Sequence, residues 1–403
     1  MSVKGAAGRV AATVLTAALV VLAAAVGPAG ASARELSAPS SLAAIAVRSP
    51  ATSTPASSRA ALQAASLPTI ATGSGAAAGS GSGAGFGFGF GLGPLSTASV
   101  VFDRRDPATG SVHLRVGDPL GFVSRRLTDP GPGAADTHPI RSPNGHDVTF
   151  MRESESGVAI GVIRIGHPSS LRWVDTGCAA IPDCAADINP TWYRDGSRIL
   201  FTRVMGPFDG QGDAASADLY TTRLNGNDLR RVGAGAGPGS EDTGAVYVPG
   251  GQRLVFIRDR RIDGILRFAI FRMRADGSHE QQLTPWELDA DRPMPSPAHT
   301  GPTAGMMTFE TFGGAEPGRG DIAMLPYMCE SLEACTAAIR YVTHNGGGPR
   351  SSFAATWSPD GRFLAYAEEP DRSGRVDVWT SHWTGQLRHR MTTTGTSYSP
   401  SWS

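Results

Sequence analysis

A phrase that recurs at a spacing of roughly 52 residues constrains this chain more than any other feature. Each copy carries a Pro or Trp position, a tight turn of the Ser-Pro-Asp-Gly kind, then Arg and a short apolar run. The clearest copies are Asn189-Pro190-Thr191-Trp192-Tyr193-Arg194-Asp195-Gly196-Ser197-Arg198-Ile199-Leu200-Phe201 and Thr356-Trp357-Ser358-Pro359-Asp360-Gly361-Arg362-Phe363-Leu364-Ala365-Tyr366. A single unit of this length and β character cannot bury its apolar face, so such units stack as a propeller or array. The phrase speaks for architecture and names no reaction or ligand.

Six copies follow from Ala98 onward, with turns at Pro143-Asn144-Gly145, Asp195-Gly196, Pro249-Gly250 and Pro359-Asp360-Gly361, and a fifth copy worn down to Pro293-Met294-Pro295-Ser296-Pro297. Pro presets φ at such turns, Asp or Asn caps them, and Gly takes the left-handed conformation. Each turn feeds a run of four or so apolar residues, as expected of a strand buried on both faces. A strand often opened by Asp comes next (Asp218, Asp321, Asp377), then a hairpin signal such as Asn225-Gly226 or Asp276-Gly277, then a strand ending near Leu127-Thr128, Leu283-Thr284 or Met391-Thr392. With the short strand before the turn, each copy makes a four-stranded blade. The first copy reads Val100-Val101-Phe102, Val112-His113-Leu114 and Phe122-Val123-Ser124 and lacks that short strand, which Tyr398 to Ser403 can supply. The expected fold is all-β: a six-bladed β-propeller of four-stranded antiparallel blades, its ring closed by the C-terminal strand over residues 97–403.

Composition divides the chain. Residues 1–96 are mostly Ala, Gly, Ser and Pro, so the core has to be built beyond them. Lys4 and Arg9, the apolar stretch Val10 to Val26 and Ala31-Ser32-Ala33 match a secretory signal peptide over 1–33. The competing reading is an uncleaved anchor, which calls for about 20 apolar residues where this stretch has 17; a membrane partner is expected only in that case. Residues 34–96, with Gly85-Phe86-Gly87-Phe88-Gly89-Phe90-Gly91, read as a disordered linker. With 36 basic and 36 acidic residues the chain lacks the field that draws phosphate backbones, which argues against nucleic acid. Export would put the four cysteines in an oxidising compartment, where Cys178 with Cys184 and Cys329 with Cys335 suit two local disulfides; neither pair has the spacing of a zinc site.

At these motifs the chain resembles the TolB-type six-bladed propellers, whose repeat carries Pro-x-Trp-Ser-Pro-Asp-Gly, an apolar strand, an Asp-Gly turn and a terminal Leu-Thr. The resemblance covers residues 98–403 and is tightest in the third and sixth copies. It implies an exported, partner-binding propeller. TolB has an α/β domain before its propeller, whereas residues 34–96 here show no alternation of strand and helix signals.

Residues with chemical potential are sparse. No Gly-x-Ser-x-Gly occurs. The nine His form no His-x-His or His-x-x-x-His pair and read as surface or capped-loop residues. The loop Asp209-Gly210-Gln211-Gly212-Asp213 has oxygen ligands but no twelve-residue calcium-loop spacing. Glu368, Glu369 and Asp371 read as a charged loop end rather than an acid–base pair. Trp192, Trp357 and Trp402 share one repeat position and are expected between blades, while Trp286 and Trp383 fall outside it. The longer loops (205–217, 233–241, 285–291, 312–320 and 344–352) share one rim, so partner binding is expected there, around Phe208, Asp209, Trp286, Arg260 and Arg319. The function expected is a non-catalytic module at the cell envelope, monomeric, without a cofactor, binding a protein or cell-wall component. The alternative is a metal-dependent propeller lyase or hydrolase acting on carbohydrate.

Overall fold

A computed structural model describes residues 99–206, 216–237, 239–313, 319–346 and 348–402. The expected signal peptide and linker lie outside the described residues, as do Phe208, Asp209 and Asp213.

Twenty-four strands follow one another with one short α-helix and two 3₁₀ turns, Cys178–Ala180 and Trp286–Leu288, among the described residues. They are β1 (Val100–Arg105), β2 (Val112–Gly117) and β3 (Ser124–Arg126); β4 (Ala135–Arg141), β5 (Asp147–Ser154), β6 (Gly157–Arg164) and β7 (His167–Trp173); β8 (Cys184–Trp192), β9 (Arg198–Met205), β10 (Ser216–Arg223) and β11 (Arg230–Arg231). Next come β12 (Ser240–Tyr247), β13 (Arg253–Ile262), β14 (Ile265–Arg274) and β15 (Gln281–Gln282); β16 (Ala290–Pro295), β17 (Met306–Thr311), β18 (Asp321–Pro326), helix α1 (Leu332–Ala337) and β19 (Arg340–Tyr341). The last are β20 (Ser351–Trp357), β21 (Phe363–Glu369), β22 (Asp377–His382), β23 (His389–Arg390) and β24 (Ser397–Ser401).

Strands β8 to β23 form four antiparallel sheets of four strands each. The first two copies depart from the expected separate blades. They share an eight-stranded mixed sheet in the order β24-β1-β2-β4-β5-β6-β7, with β3 on β2. The link between its two halves is a single parallel pair, Val112 with Ala135. At the chain's end, β24 pairs antiparallel with β1. The third strand of the first copy is Ser124–Arg126, while Phe122 and Val123 are exposed in the preceding loop, at 81% and 53%.

The turn chemistry is as the residue types require. Gly145, Gly196 and Gly361 sit at φ 73, 72 and 67, and each N–H donates to the carbonyl three residues back. The side chains of Asn144, Asp195 and Asp360 accept from backbone N–H groups two residues ahead. In the fourth copy the bonded glycine is Gly251, and Pro249-Gly250 fill the two central positions. In the fifth, a longer loop after Ser296 replaces the turn, which explains its eroded phrase.

The apolar runs are buried on both faces. Leu200 packs with Leu219, Ala245, Leu254 and Phe256, while its neighbour Phe201 packs with Ile160, Val162 and Trp192. Alternation along the strand thus sends successive residues into opposite sheet–sheet interfaces. In β1, Val101 joins Val148 and Phe150 of the second copy, whereas Val100 and Phe102 join Ala365, Val378, Met391 and Trp402 near the chain's end. Each fully buried Phe contributes about 1.5–3 kcal/mol. The terminal Leu-Thr signal also has a cause: the hydroxyls of Thr128, Thr284, Thr343 and Thr392 accept the N–H of Leu114, Ile270, Ile322 and Val378.

Candidate binding cavity

Six strands, β4, β8, β12, β16, β20 and β24, each break register with a bulge at the same repeat position. At each bulge one residue turns left-handed: His138, Asn189, Gly244, Arg292, Ala354 and Ser399, at φ 53, 51, 57, 51, 56 and 31. Outside Gly and Asn that conformation costs about 1–3 kcal/mol and persists only where the surroundings enforce it. All six residues line one cavity of about 70 Å³.

Neighbouring strands are tied around it. Arg141 N–H donates to Ser401 Oγ, Trp192 Nε1 to the Ile140 carbonyl, Thr191 Oγ1 to the Ala245 carbonyl, Trp357 Nε1 to the Met294 carbonyl and Trp402 N–H to Thr356 Oγ1. Val246 and Val248 of the fourth copy pack with Ala290 and Met307 of the fifth. Trp192 and Trp357 therefore work between sheets.

Behind the bulges of the second to fourth copies runs a ladder of ion pairs. Asp136 with Arg152, Asp187 with Arg203 and Asp242 with Arg258 are sixteen residues apart, directly cross-strand and bidentate at 2.6–2.8 Å. Each guanidinium lies over two rings: Arg152 over Phe150 and Trp173, Arg203 over Phe201 and Tyr220, Arg258 over Phe256 and Phe271. Sequence reading missed this ladder. Its signal was present as Phe-x-Arg at Phe102-Asp103-Arg104, Phe150-Met151-Arg152, Phe201-Thr202-Arg203 and Phe256-Ile257-Arg258.

The polar groups at the cavity are unusual for a core. Neither ring nitrogen of His138 has a hydrogen-bond partner, and neither does Nη1 of Arg292; all three atoms are buried. Burial, reinforced by the Arg292 charge, holds His138 well below the usual imidazole range, so the ring is neutral. Desolvation pushes Asp103 up to about 7 against the pull of Arg292 and Ser399. Asp291, which lines the cavity, is pushed up by burial and by Glu310. Asp259 is pushed up to about 8 by burial and by Glu241. Ser399, His138 and Asp103 gather here, yet the unpartnered imidazole means that no serine–histidine relay is assembled.

Several expectations change at this point. His113 and His138 are buried rather than surface residues, at 4% and 8% exposure. Glu368 and Glu369 belong to β21 and are buried, not at a loop end; Glu368 pairs with Arg388 and Arg350, and Glu369 with Arg319. A lone His or a Glu-Glu pair carries no burial signal in sequence.

Of the expected rim residues, Arg260 and Trp286 come together, the guanidinium 4.1 Å above the indole. Trp286 also tilts against Phe271 and is half-buried. Arg319 is buried, its charge engaged by Glu369 and its other Nη by the Pro349 carbonyl. Trp383 packs in part against the core around Trp357. Disulfides join Cys178 to Cys184, which ties the loop after β7 to the start of β8, and Cys329 to Cys335, which ties the loop after β18 to α1; their Cα separations are 5.4 and 5.3 Å. Among the described residues, the group with metal-ligand spacing is Cys178, Cys184 and Asp187. It does not fit a metal, since both sulfurs are bonded to each other and Asp187 is held by Arg203. No helix among the described residues is long and apolar enough to cross a membrane.

No protein-family model matches the sequence, and no curated protein does either. Solved structures do match. TolB from Acinetobacter baumannii is 17% identical with a TM-score of 0.55 over 75% of this chain, which spans 66% of that one. A protein described as TolB from Agrobacterium tumefaciens is 15% identical with a TM-score of 0.51, covering 75% of this chain and 91% of its own. Hydrazine synthase from Kuenenia stuttgartiensis is 12% identical with a TM-score of 0.54, covering 76% and 46%. Proteins of such different activity sharing one architecture make the likeness a statement of fold. The described residues carry the all-β fold of the TolB-like propellers, built from repeated four-stranded antiparallel sheets.

Proposed function

We propose that the protein is an extracytoplasmic, non-catalytic six-bladed β-propeller, closed by its C-terminal strand, that binds a protein or cell-wall component. The observation that carries this reading is the convergence of six equivalent bulges, one per repeat, on a single cavity. Pairing of β24 with β1, and the packing of Val100 and Phe102 against Trp402, support closure. The lone pair between Val112 and Ala135 is then a contact between two blades that the sheet count merges. Two disulfides suit an oxidising compartment. Among the described residues, no nucleophile with its base is assembled at the cavity, which favours binding over turnover.

The binding face of this reading is the rim that carries Arg260, Trp286 and the exposed Ile265 of the β13–β14 hairpin. Rigid sheets present such loop-end groups in fixed register. The test is crosslinked capture from an envelope fraction by the full chain and by Arg260→Glu/Ile265→Glu. A partner held by the parent and lost by the variant, with melting unchanged, is the expected outcome. Equal capture by both rejects this face.

A further inference from the structure

We propose that the cavity binds a carboxylate group, held between Arg292 and His138. The inference deepens the binding reading above and rests on its propeller geometry, but not on the identity of any partner. Arg292 presents a buried, unpartnered Nη1, and the neighbouring Asp291 carboxylate is bonded at 2.6 Å to the backbone N–H of Arg292. A buried donor of a charged group without an acceptor is costly, and a planar carboxylate matches the guanidinium fork. His138 adds one ring N–H, again without a partner, from a residue 8% exposed. A metal cation is disfavoured here because the guanidinium repels it. Nor is an acid shut out by the nearby carboxyls, since burial shifts Asp103 and Asp291 toward their neutral forms. A space of about 70 Å³ admits a group of a few non-hydrogen atoms.

The left-handed backbone supports the assignment. Arg292 at φ 51 and His138 at φ 53 are held in a conformation that neither prefers, and both residues line the cavity. Strain of this kind gathers where a site is preorganised.

The carboxylate can arrive as a small free acid or as a side chain on a partner peptide. Titrations of the full chain at constant ionic strength with acetate, with acetamide, and with a capped Gly-Glu-Gly peptide separate these sources. We expect saturable binding of acetate or of the peptide, no response to acetamide, and at least tenfold weaker binding in Arg292→Gln and His138→Asn. Arg292→Lys should recover part of the loss, and it serves as the comparison if Arg292→Gln folds poorly. Acetate alone identifies a free acid, and the peptide alone identifies a carried one. Binding by neither, a response to acetamide equal to that of acetate, or unchanged affinity in all three variants overturns the proposal. Rim-dependent capture is read separately: equal capture by the parent and the rim variant with acetate binding intact removes the binding face, whereas rim-dependent capture without acetate binding removes only the carboxylate site.

Discussion

Arg203 shows how a charge can be both buried and required. Its side chain is 2% exposed, holds Asp187 through two bonds, donates to the Thr176 carbonyl and lies against the rings of Phe201 and Tyr220. Removing one partner strands the other in a low-dielectric space, so Arg203→Leu should cost about 3–5 kcal/mol in urea unfolding. Replacing both Arg203 and Asp187 by apolar residues should cost less than the single change, which a double-mutant cycle reads directly. The raised carboxyls set a pH dependence with a definite sign. Asp103 has a folded pKa of about 7 against an ordinary 3.8, so the native state binds the extra proton between those values. Its contribution is complete below about pH 4 and lost as pH rises through 7; for Asp259 the loss extends through about 8. Urea stability should therefore fall between about pH 4 and pH 8, and Asp103→Asn should flatten the part between 4 and 7. An unchanged profile in that variant would remove Asp103 from the cause.

At the scale of elements, hairpins and staples decide the outcome. The Asn225-Gly226 turn approaches the preceding copy so closely that a Cβ on Gly226, at φ 80, would lie 2.1 Å from the Asp175 carbonyl oxygen. Gly121 stands in the same relation to the Met391 oxygen, also at 2.1 Å, so the first copy meets the last as the third meets the second. Gly226→Ala should therefore cost more than the ~1–2 kcal/mol of its backbone conformation alone. Asn225→Ala, which keeps the glycine, should cost much less by the same thermal melt. The hairpin itself was legible, because Asn-Gly is a local signal. Its contact with Asp175 was not, since that depends on how two copies meet. The Cys178–Cys184 staple closes a six-residue separation, and a Cys178→Ser/Cys184→Ser variant should lose about 2 kcal/mol.

The proposed ring depends on its ends meeting. Deleting residues 397–403 removes the partner of β1 and uncovers Val100 and Phe102, so melting should fall by roughly 10 °C or more. Retention of the parental melting point would refute closure by β24. The repeat phrase, the hairpin signals and the Leu-Thr endings made this architecture readable, since each is a local stereochemical requirement repeated at one period. The Phe-x-Arg rhythm was equally local but went unread, because its Asp partner lies one strand away.

By itself, the amino-acid order determined the β repeats, their turns and the two short cysteine spacings, all of which follow from backbone preferences over a dozen residues. Only the tertiary structure decided that His138, Asn189, Gly244, Arg292, Ala354 and Ser399 share one cavity, that Arg319 and Glu369 are paired and buried, and that Arg260 covers Trp286. The reason is physical: burial and missing hydrogen-bond partners belong to the space between elements, and neighbours there can be more than 250 residues apart along the chain, as Arg141 and Ser401 are at a separation of 260.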